Sequence, residues 1–200
     1  MASKVKHLMT IDHLEAIPYD EWHRYELIEG ELYVSCAPGI PHQLVLHNLL
    51  LELGNYIREN PIGRLVPGPG AVFDKHNSVI PDIVFVRNER WHSIVAKNRF
   101  NAAPDLVIEI VSPGPTNRSR DFNLKRKVYG KFAVPEYWIL DTWSRSVVIF
   151  RLAEDNILKE VINLKGNDIL ESSLFPGLSL NISTIFLTGL QDSEDSRLSS

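Results

Sequence analysis

A glutamate stands inside one of the most apolar segments of the chain. Glu109 interrupts the run Leu106-Val-Ile-Glu-Ile-Val111, in which apolar residues fall on both faces of a predicted strand. Such a strand is typically covered on both sides, so the Glu109 carboxylate is expected to be buried. A buried carboxylate is costly unless it pairs with Lys or Arg, binds a proton or holds a metal ion.

A second carboxylate, Asp82, follows Pro81 directly before the apolar strand predicted over 83–86. Taken alone, an aspartate after proline is typical of a turn. Together, Asp82 and Glu109 form the minimum donor set for Mg²⁺ or Mn²⁺, which bind one or two carboxylates along with water and phosphate oxygens. Asp105 is a competing carboxylate, but its place after Pro104 is more simply explained as the start of a strand.

A lysine near this pair would complete a hydrolytic site. Asp121, Lys125 and Tyr129 form one stripe of the helix predicted over 119–132, and we expect Lys125 at the edge of its buried face. Beside a metal-bound water, its ammonium would stabilise the attacking hydroxide or the developing charge. The alternative is a surface lysine paired with Asp121. Lys127 points away from the stripe and is the weaker candidate, and Tyr129 is a possible accessory residue.

Two further residues are candidates because of where they stand. Glu26 shares its strand parity with Ile28 and Leu32, so its side chain is expected to point toward the core. There it could hold a second metal ion, a water or a lysine. His42 opens the helix predicted over 42–57 and could reach the same site, although a histidine at a helix start is more often structural or exposed.

The elements that must position these residues alternate between helix and strand. Their apolar spacing predicts a mixed α/β (α+β) chain with central strands wrapped by two main helices. Residues 1–190 are expected to form one domain and 191–200 a disordered polar tail. The predicted helices cover 10–17, 42–57 and 119–132, a hairpin covers 24–34, and the main strands cover 80–86, 106–111, 137–140 and 147–152.

Composition excludes several classes of protein. The 200 residues are 44% hydrophobic and 23% charged, which is typical of a soluble folded protein. No apolar run is long enough to span a membrane, no secretory signal is expected, and the lone Cys36 cannot form an intrachain disulfide. We therefore expect a cytoplasmic protein.

Charge is distributed unevenly along the chain. Its formal net charge is −4, yet segment 87–131 carries ten basic residues against four acidic ones. This asymmetry points to a polyanionic partner, with a solvated helix face as the alternative.

A series of short motifs runs in order along the chain. They are RYELIEGE (24–31), PHQ (41–43), PD (81–82), PDLVIEIVSP (104–113), Asp121 with Lys125 and Tyr129, VPEYWILD (134–141) and LFPGL (174–178). In this order the motifs resemble the putative restriction endonuclease family of PD-(D/E)xK nuclease fold. The resemblance implies a restriction endonuclease-like architecture, with a central mixed β-sheet flanked by α-helices, an N-terminal β-hairpin and a C-terminal β-rich extension. It also implies Asp82 and Glu109 as metal ligands and Mg²⁺-dependent hydrolysis of DNA phosphodiester bonds.

One position departs from this family pattern. The wider fold has a lysine two residues after the glutamate, where this chain has Val111, and Lys125 is the natural replacement. We expect Arg118, Arg120 and Arg126 to contact the DNA backbone, and a homodimer to supply two sites for cutting both strands. The alternatives are a nuclease fold that binds nucleic acid without cutting it and a protein-interaction module.

Overall fold

The computed structural model describes residues 8–18, 21–112 and 114–187. Its elements alternate between strand and helix as the apolar spacing predicts. In chain order they are α1 (Ile11–Glu15), β1 (His23–Ile28), β2 (Glu31–Cys36), α2 (Ile40–Glu59), β3 (Gly63–Pro67), β4 (Ala71–Asp74), β5 (Asn77–Val79), β6 (Ile83–Arg87), α3 (Asn88–Ile94), β7 (Val95–Ala96), β8 (Arg99–Phe100), β9 (Leu106–Val111), α4 (Pro115–Ser119), a π-helical segment (Arg120–Lys125), α5 (Arg126–Lys131), β10 (Glu136–Asp141), β11 (Ser146–Leu152), β12 (Leu158–Lys165), β13 (Ile169–Ser172), β14 (Phe175–Asn181) and α6 (Ile182–Ile185).

A six-stranded mixed sheet forms the centre of the molecule, in the order β12-β11-β10-β9-β6-β3. Strands β9 and β10 are parallel and place Glu109 beside Ile139, while the other neighbours are antiparallel. Every residue of β9 and β10 is buried, as the apolar runs predict. Glu109 therefore lies in the middle of a strand that is covered on both faces.

A second six-stranded sheet, in the order β2-β1-β5-β4-β8-β7, replaces the isolated N-terminal hairpin that the sequence predicts. The hairpin itself is confirmed, with its turn at Glu29 and Gly30. It is extended by β5, β7 and β8, strands of only two or three residues that are too short to give a period-2 pattern. The two sheets together confirm the mixed α+β class.

Helices cover both faces of the central sheet. Helix α2 packs Val45, Leu49 and Leu53 into the core on one face, together with Ile108 and Trp138. On the other face, α5 contributes Val128 and Tyr129 to a second core. Glu109 belongs to the face that α5 covers, since its neighbours Val107 and Val111 lie in that second core.

The segment after β9 is not the single regular helix predicted over 119–132. Helix begins at Pro115, and the stretch Arg120–Lys125 is wound as a π-helix before α5 continues. The π-helical segment buries Asp121 and Lys125 more deeply than the expected anchor Phe122. Charged side chains thus occupy the face that was predicted to be apolar.

In the part of the chain that the structure describes, no helix is long and apolar enough to cross a membrane. The tail expected over residues 191–200 lies outside the described residues.

Candidate active site

Glu109 is the centre of a buried polar cluster between the two sheets. Its Oε1 atom accepts hydrogen bonds from Lys125 Nζ at 3.0 Å and from the Tyr129 hydroxyl at 2.6 Å. Both donors come from the helical segment that follows β9, one turn apart. Neither hydrogen bond has Glu109 Oε2 as its acceptor.

Lys125 joins the two sheets through their carboxylates. Its Nζ atom lies 2.9 Å from Glu26 Oε1 on β1 and 3.0 Å from Glu109 Oε1 on β9. Glu26 Oε1 also accepts the backbone N–H of Ile80 at 2.8 Å. Only 2% of the Lys125 side chain is exposed, so it lies inside the core and not at the edge of the helix face as predicted. Asp121, the partner expected for a surface lysine, is more distant at 4.0 Å.

Asp82 is held rigidly before the first residue of β6. Its Oδ2 accepts the N–H of Ile110, the residue after Glu109, at 2.8 Å. Its Oδ1 lies 3.2 Å from His42 Nε2, and the other ring nitrogen of His42 is 3.4 Å from Ser112 Oγ. The structure thus brings His42, at the start of α2, into the cluster.

The cluster holds more negative charge than its cations balance. Glu26, Asp82, Glu109 and Asp121 are all buried, against the cations Lys125 and Arg120. Burial raises the pKa of Glu109 to about 8; Lys125 opposes the shift and the three neighbouring carboxylates add to it. The pKa of Lys125 is also raised, because its carboxylate neighbours outweigh the effect of burial. The lysine therefore stays protonated, and Glu109 is the group that binds an extra proton.

The pKa values of Asp82 and Asp121 shift in opposite directions. Burial alone would raise the pKa of Asp82, but the hydrogen bonds from His42 and the Ile110 N–H leave that pKa below its ordinary value. Burial raises the pKa of Asp121 despite Lys125 and Arg120, whose Nε lies 3.0 Å from Asp121 Oδ1. Of these two carboxyl groups, Asp82 is consequently the one that the structure keeps ionised.

Across residues 8–18, 21–112 and 114–187, no three His, Cys, Asp or Glu side chains are grouped to enclose a metal ion. Mg²⁺ is usually held by one or two carboxylates with water and phosphate completing its shell, so a full protein cage is not required. Asp82 and Glu109 are both buried, and the charge of Asp82 contributes to the raised pKa of Glu109. A divalent cation would offset this negative charge.

The basic side chains of segment 87–131 do not form a continuous patch of exposed positive charge, because several of them pair with acidic side chains. Arg120 lies mostly buried against Asp121, whereas Arg118 is 53% exposed, pairs with Asp141 and stacks over Phe122. Arg126 lies over the ring of Phe150. Lys127 is 69% exposed and pairs with Glu29, away from the cluster. Arg118 is thus more accessible to a ligand than Arg120.

The model of one protein family, Uma2, described as "Putative restriction endonuclease", matches residues 11–183. The chain belongs to the Uma2 family. Membership supports a nuclease function for the chain. A search of curated proteins finds no match.

One solved structure confirms the restriction endonuclease-like fold of this Uma2 chain. The crystal structure of a "putative nuclease belonging to DUF820" from Anabaena variabilis is similar over 90% of this chain and 98% of that one, with a TM-score of 0.70 and 21% identity. The type IIG restriction endonuclease BpuSI is similar over 77% of this chain and 16% of that one, with a TM-score of 0.41 and 13% identity. The second likeness is too slight to define the fold.

The sequence did not assign a role to two residues that lie at the cluster. Arg24 Nη1 lies 3.7 Å from Asp82 Oδ1, and Ser112 contacts His42. Arg24 could have been found from its spacing, since it is two residues before Glu26 on the same strand and so faces the same side. Ser112 carries no such signal, because it follows β9 in a segment typical of a turn.

Proposed function

We propose that this protein is a divalent-metal-dependent DNA endonuclease whose centre consists of Asp82, Glu109 and Lys125. One observation carries the proposal: the lysine that the family pattern has two residues after the glutamate is absent, yet Lys125 Nζ reaches Glu109 Oε1 from the following helix. Its ammonium can therefore act where the missing side chain would have acted. Family membership supports the same reaction class.

Asp82 and Glu109 are the residues that would hold the metal, Mg²⁺ or Mn²⁺. Such an ion, when bound, lowers the pKa of a coordinated water and screens the charge of the scissile phosphate. The Ile110 N–H and His42 keep Asp82 ionised and oriented, and Tyr129 with Lys125 fixes Glu109 through a single oxygen. Neither of these hydrogen bonds uses the second oxygen of Glu109.

Lys125 acts in this proposal as a cation and not as a base. Because its pKa is raised, its ammonium keeps its proton at neutral pH and can donate hydrogen bonds to a water or to the phosphate oxygens. Glu26 positions the ammonium from the opposite side at 2.9 Å. Glu26 is a positioning residue, since it acts through Lys125.

Substrate binding would add contacts outside the buried cluster. We propose the exposed Arg118 and the half-buried Arg126 as contacts to the DNA backbone. A homodimer would present two sites and allow both strands of a duplex to be cut. Sedimentation of the protein with and without duplex DNA tests the dimer separately.

The test of the function is cleavage of supercoiled plasmid and of linear single strands in Mg²⁺, in Mn²⁺ and in EDTA. The wild type is compared with Asp82→Asn and Glu109→Gln, and the control is Glu136→Gln. Glu136 is also a buried glutamate, on the neighbouring strand β10, but its partners are Trp138, Ser172 and Arg151. We expect metal-dependent cleavage that is lost in the two site variants and kept in the control.

Other results would assign other functions. Cleavage that survives in EDTA contradicts the metal site. DNA binding without cleavage under any metal condition supports a nuclease fold that binds nucleic acid without cutting it. Absence of DNA binding even at low salt favours a protein-interaction module.

A further inference from the structure

Side chains on β1 and directly before it lead from the buried cluster to the surface. Glu26 contacts Lys125 and is buried, while Arg24, two residues earlier, is 37% exposed and faces Asp82. Alternate residues of a strand share a face, so Arg24 and Glu26 lie on one side of β1. Trp22 stands in the turn directly before β1, two residues from Arg24, and is 76% exposed.

Arg24 is held in place but only weakly engaged by its acidic neighbour. Its backbone is paired with Ser35 in the β1-β2 hairpin, which fixes the strand under it. The distance of 3.7 Å from Arg24 Nη1 to Asp82 Oδ1 is longer than a hydrogen bond. A guanidinium has five donors in a planar fork that matches a phosphate group, so Arg24 can bind a phosphate while it remains near Asp82.

A polyanionic substrate needs a cation such as Arg24 near the buried carboxyl groups. Four buried carboxyl groups lie around Lys125, and those that are ionised, such as Asp82, repel any polyanion that approaches. A partly exposed arginine at 3.7 Å from one of them offsets that repulsion at the point of entry. The neighbouring exposed indole offers a flat surface of the kind on which unpaired bases stack.

We propose that Arg24 binds a backbone phosphate of the substrate strand and that Trp22 stacks on an adjacent unpaired base. This inference rests on the proposed nuclease function and refines its substrate class. The preferred ligand is a nucleic acid strand with unpaired bases beside the scissile phosphate, such as a single strand, a flap or a frayed end.

The experiment is fluorescence anisotropy with a labelled oligodeoxynucleotide of mixed sequence, single-stranded or as a blunt duplex, in Ca²⁺ over a series of salt concentrations. Integrity of the oligonucleotide is checked on a gel. The variants are Arg24→Ala, Arg24→Lys and Trp22→Ala, with Arg64→Ala as the matched control. Arg64 is an exposed arginine on the edge strand β3 that bonds to Asn88 and lies over Trp91.

A phosphate contact and a base stack differ in their dependence on salt. Arg24→Ala should raise Kd about tenfold and reduce the slope of log Kd against log salt by about 0.7. Arg24→Lys should keep the slope while losing part of the affinity. Trp22→Ala should raise Kd for the single strand about tenfold with an unchanged slope, and should affect the duplex far less. Arg64→Ala should change neither quantity.

Three outcomes overturn all or part of the inference. If the wild type binds and cleaves DNA while Arg24→Ala keeps its Kd and its salt slope, the inference is wrong and the nuclease function stands. Equal loss of single-strand and duplex binding in Trp22→Ala overturns the stacking role. If the wild type binds neither form of the oligonucleotide, the inference and the proposed function fall together.

Discussion

Lys125 Nζ lies 3.0 Å from Glu109 Oε1, although the two residues belong to a helix and a strand sixteen positions apart. The same ammonium contacts Glu26 on the other sheet, so one cation bridges two buried carboxylates. Such an arrangement is costly to break, because removing one partner leaves an uncompensated buried charge. In the proposed nuclease reaction, Lys125 would also bring a positive charge to the place where the phosphodiester transition state gathers negative charge.

Removal of the ammonium should therefore destabilise the fold. Lys125→Met is expected to lower the free energy of unfolding by about 3–5 kcal/mol, while Lys127→Met, an exposed lysine on the same helix, should change it by less than about 0.5 kcal/mol. Urea denaturation of Lys125→Met, Glu109→Gln and the double variant measures the interaction free energy between the two side chains. Strictly additive losses in the double variant would show that the two side chains do not interact.

Glu109 should make the stability of the metal-free protein depend on pH. Its pKa is about 8 in the folded protein and near 4.5 in the unfolded chain. The folded state therefore binds the extra proton, and the stability this provides is complete below about pH 4.5 and lost as pH rises to about 8. In EDTA, the melting temperature of Glu109→Gln should fall less between pH 5 and 8 than that of the wild type. Parallel curves for the two proteins would contradict the raised pKa.

The elements that the sequence predicts best are those with a clear apolar pattern. Strand β9 has the bounds read from its apolar run, and the parity of Glu26 was enough to predict that it faces the core. The π-helical segment was not predictable, because it depends on the surrounding carboxylates that hold Lys125 in the core. The short strands β7 and β8 depend on tertiary pairing alone. The pairing of Arg120 with its neighbour Asp121 likewise needed the fold, since charge spacing predicts an exposed helix face.

His42 should act on metal affinity, because it touches Asp82 and not the reacting atoms. Loss of its hydrogen bond to Asp82 Oδ1 frees a proposed metal ligand to rotate. His42→Ala should raise the Mg²⁺ concentration for half-maximal cleavage about ten- to hundredfold, with a smaller effect at saturating Mg²⁺. His47→Ala, on an exposed face of α2, provides the control. An unchanged Mg²⁺ requirement in His42→Ala would remove His42 from the site.

Gly130 should be intolerant of a side chain. A Cβ atom added there would lie 2.7 Å from the backbone oxygen of Asn156, which cannot yield as a flexible side chain could. Gly130→Ala should therefore cost about 1–3 kcal/mol by forcing α5 away from the strand it packs on. Gly54, in the middle of α2, has nothing within 4 Å of such a Cβ, so Gly54→Ala should gain about 0.5–1 kcal/mol. Equal effects of the two substitutions on urea denaturation would contradict this packing.

The most direct test of the central claim is the single-turnover rate of plasmid cleavage in saturating Mg²⁺ for wild type, Lys125→Met and Lys127→Met. Circular dichroism at the assay temperature confirms that each protein is folded. If Lys125 supplies the cation at Glu109, its loss should lower the rate by about 100-fold or more, and Lys127→Met should cleave like the wild type. Full cleavage by folded Lys125→Met would contradict the assignment of Lys125 to the active site.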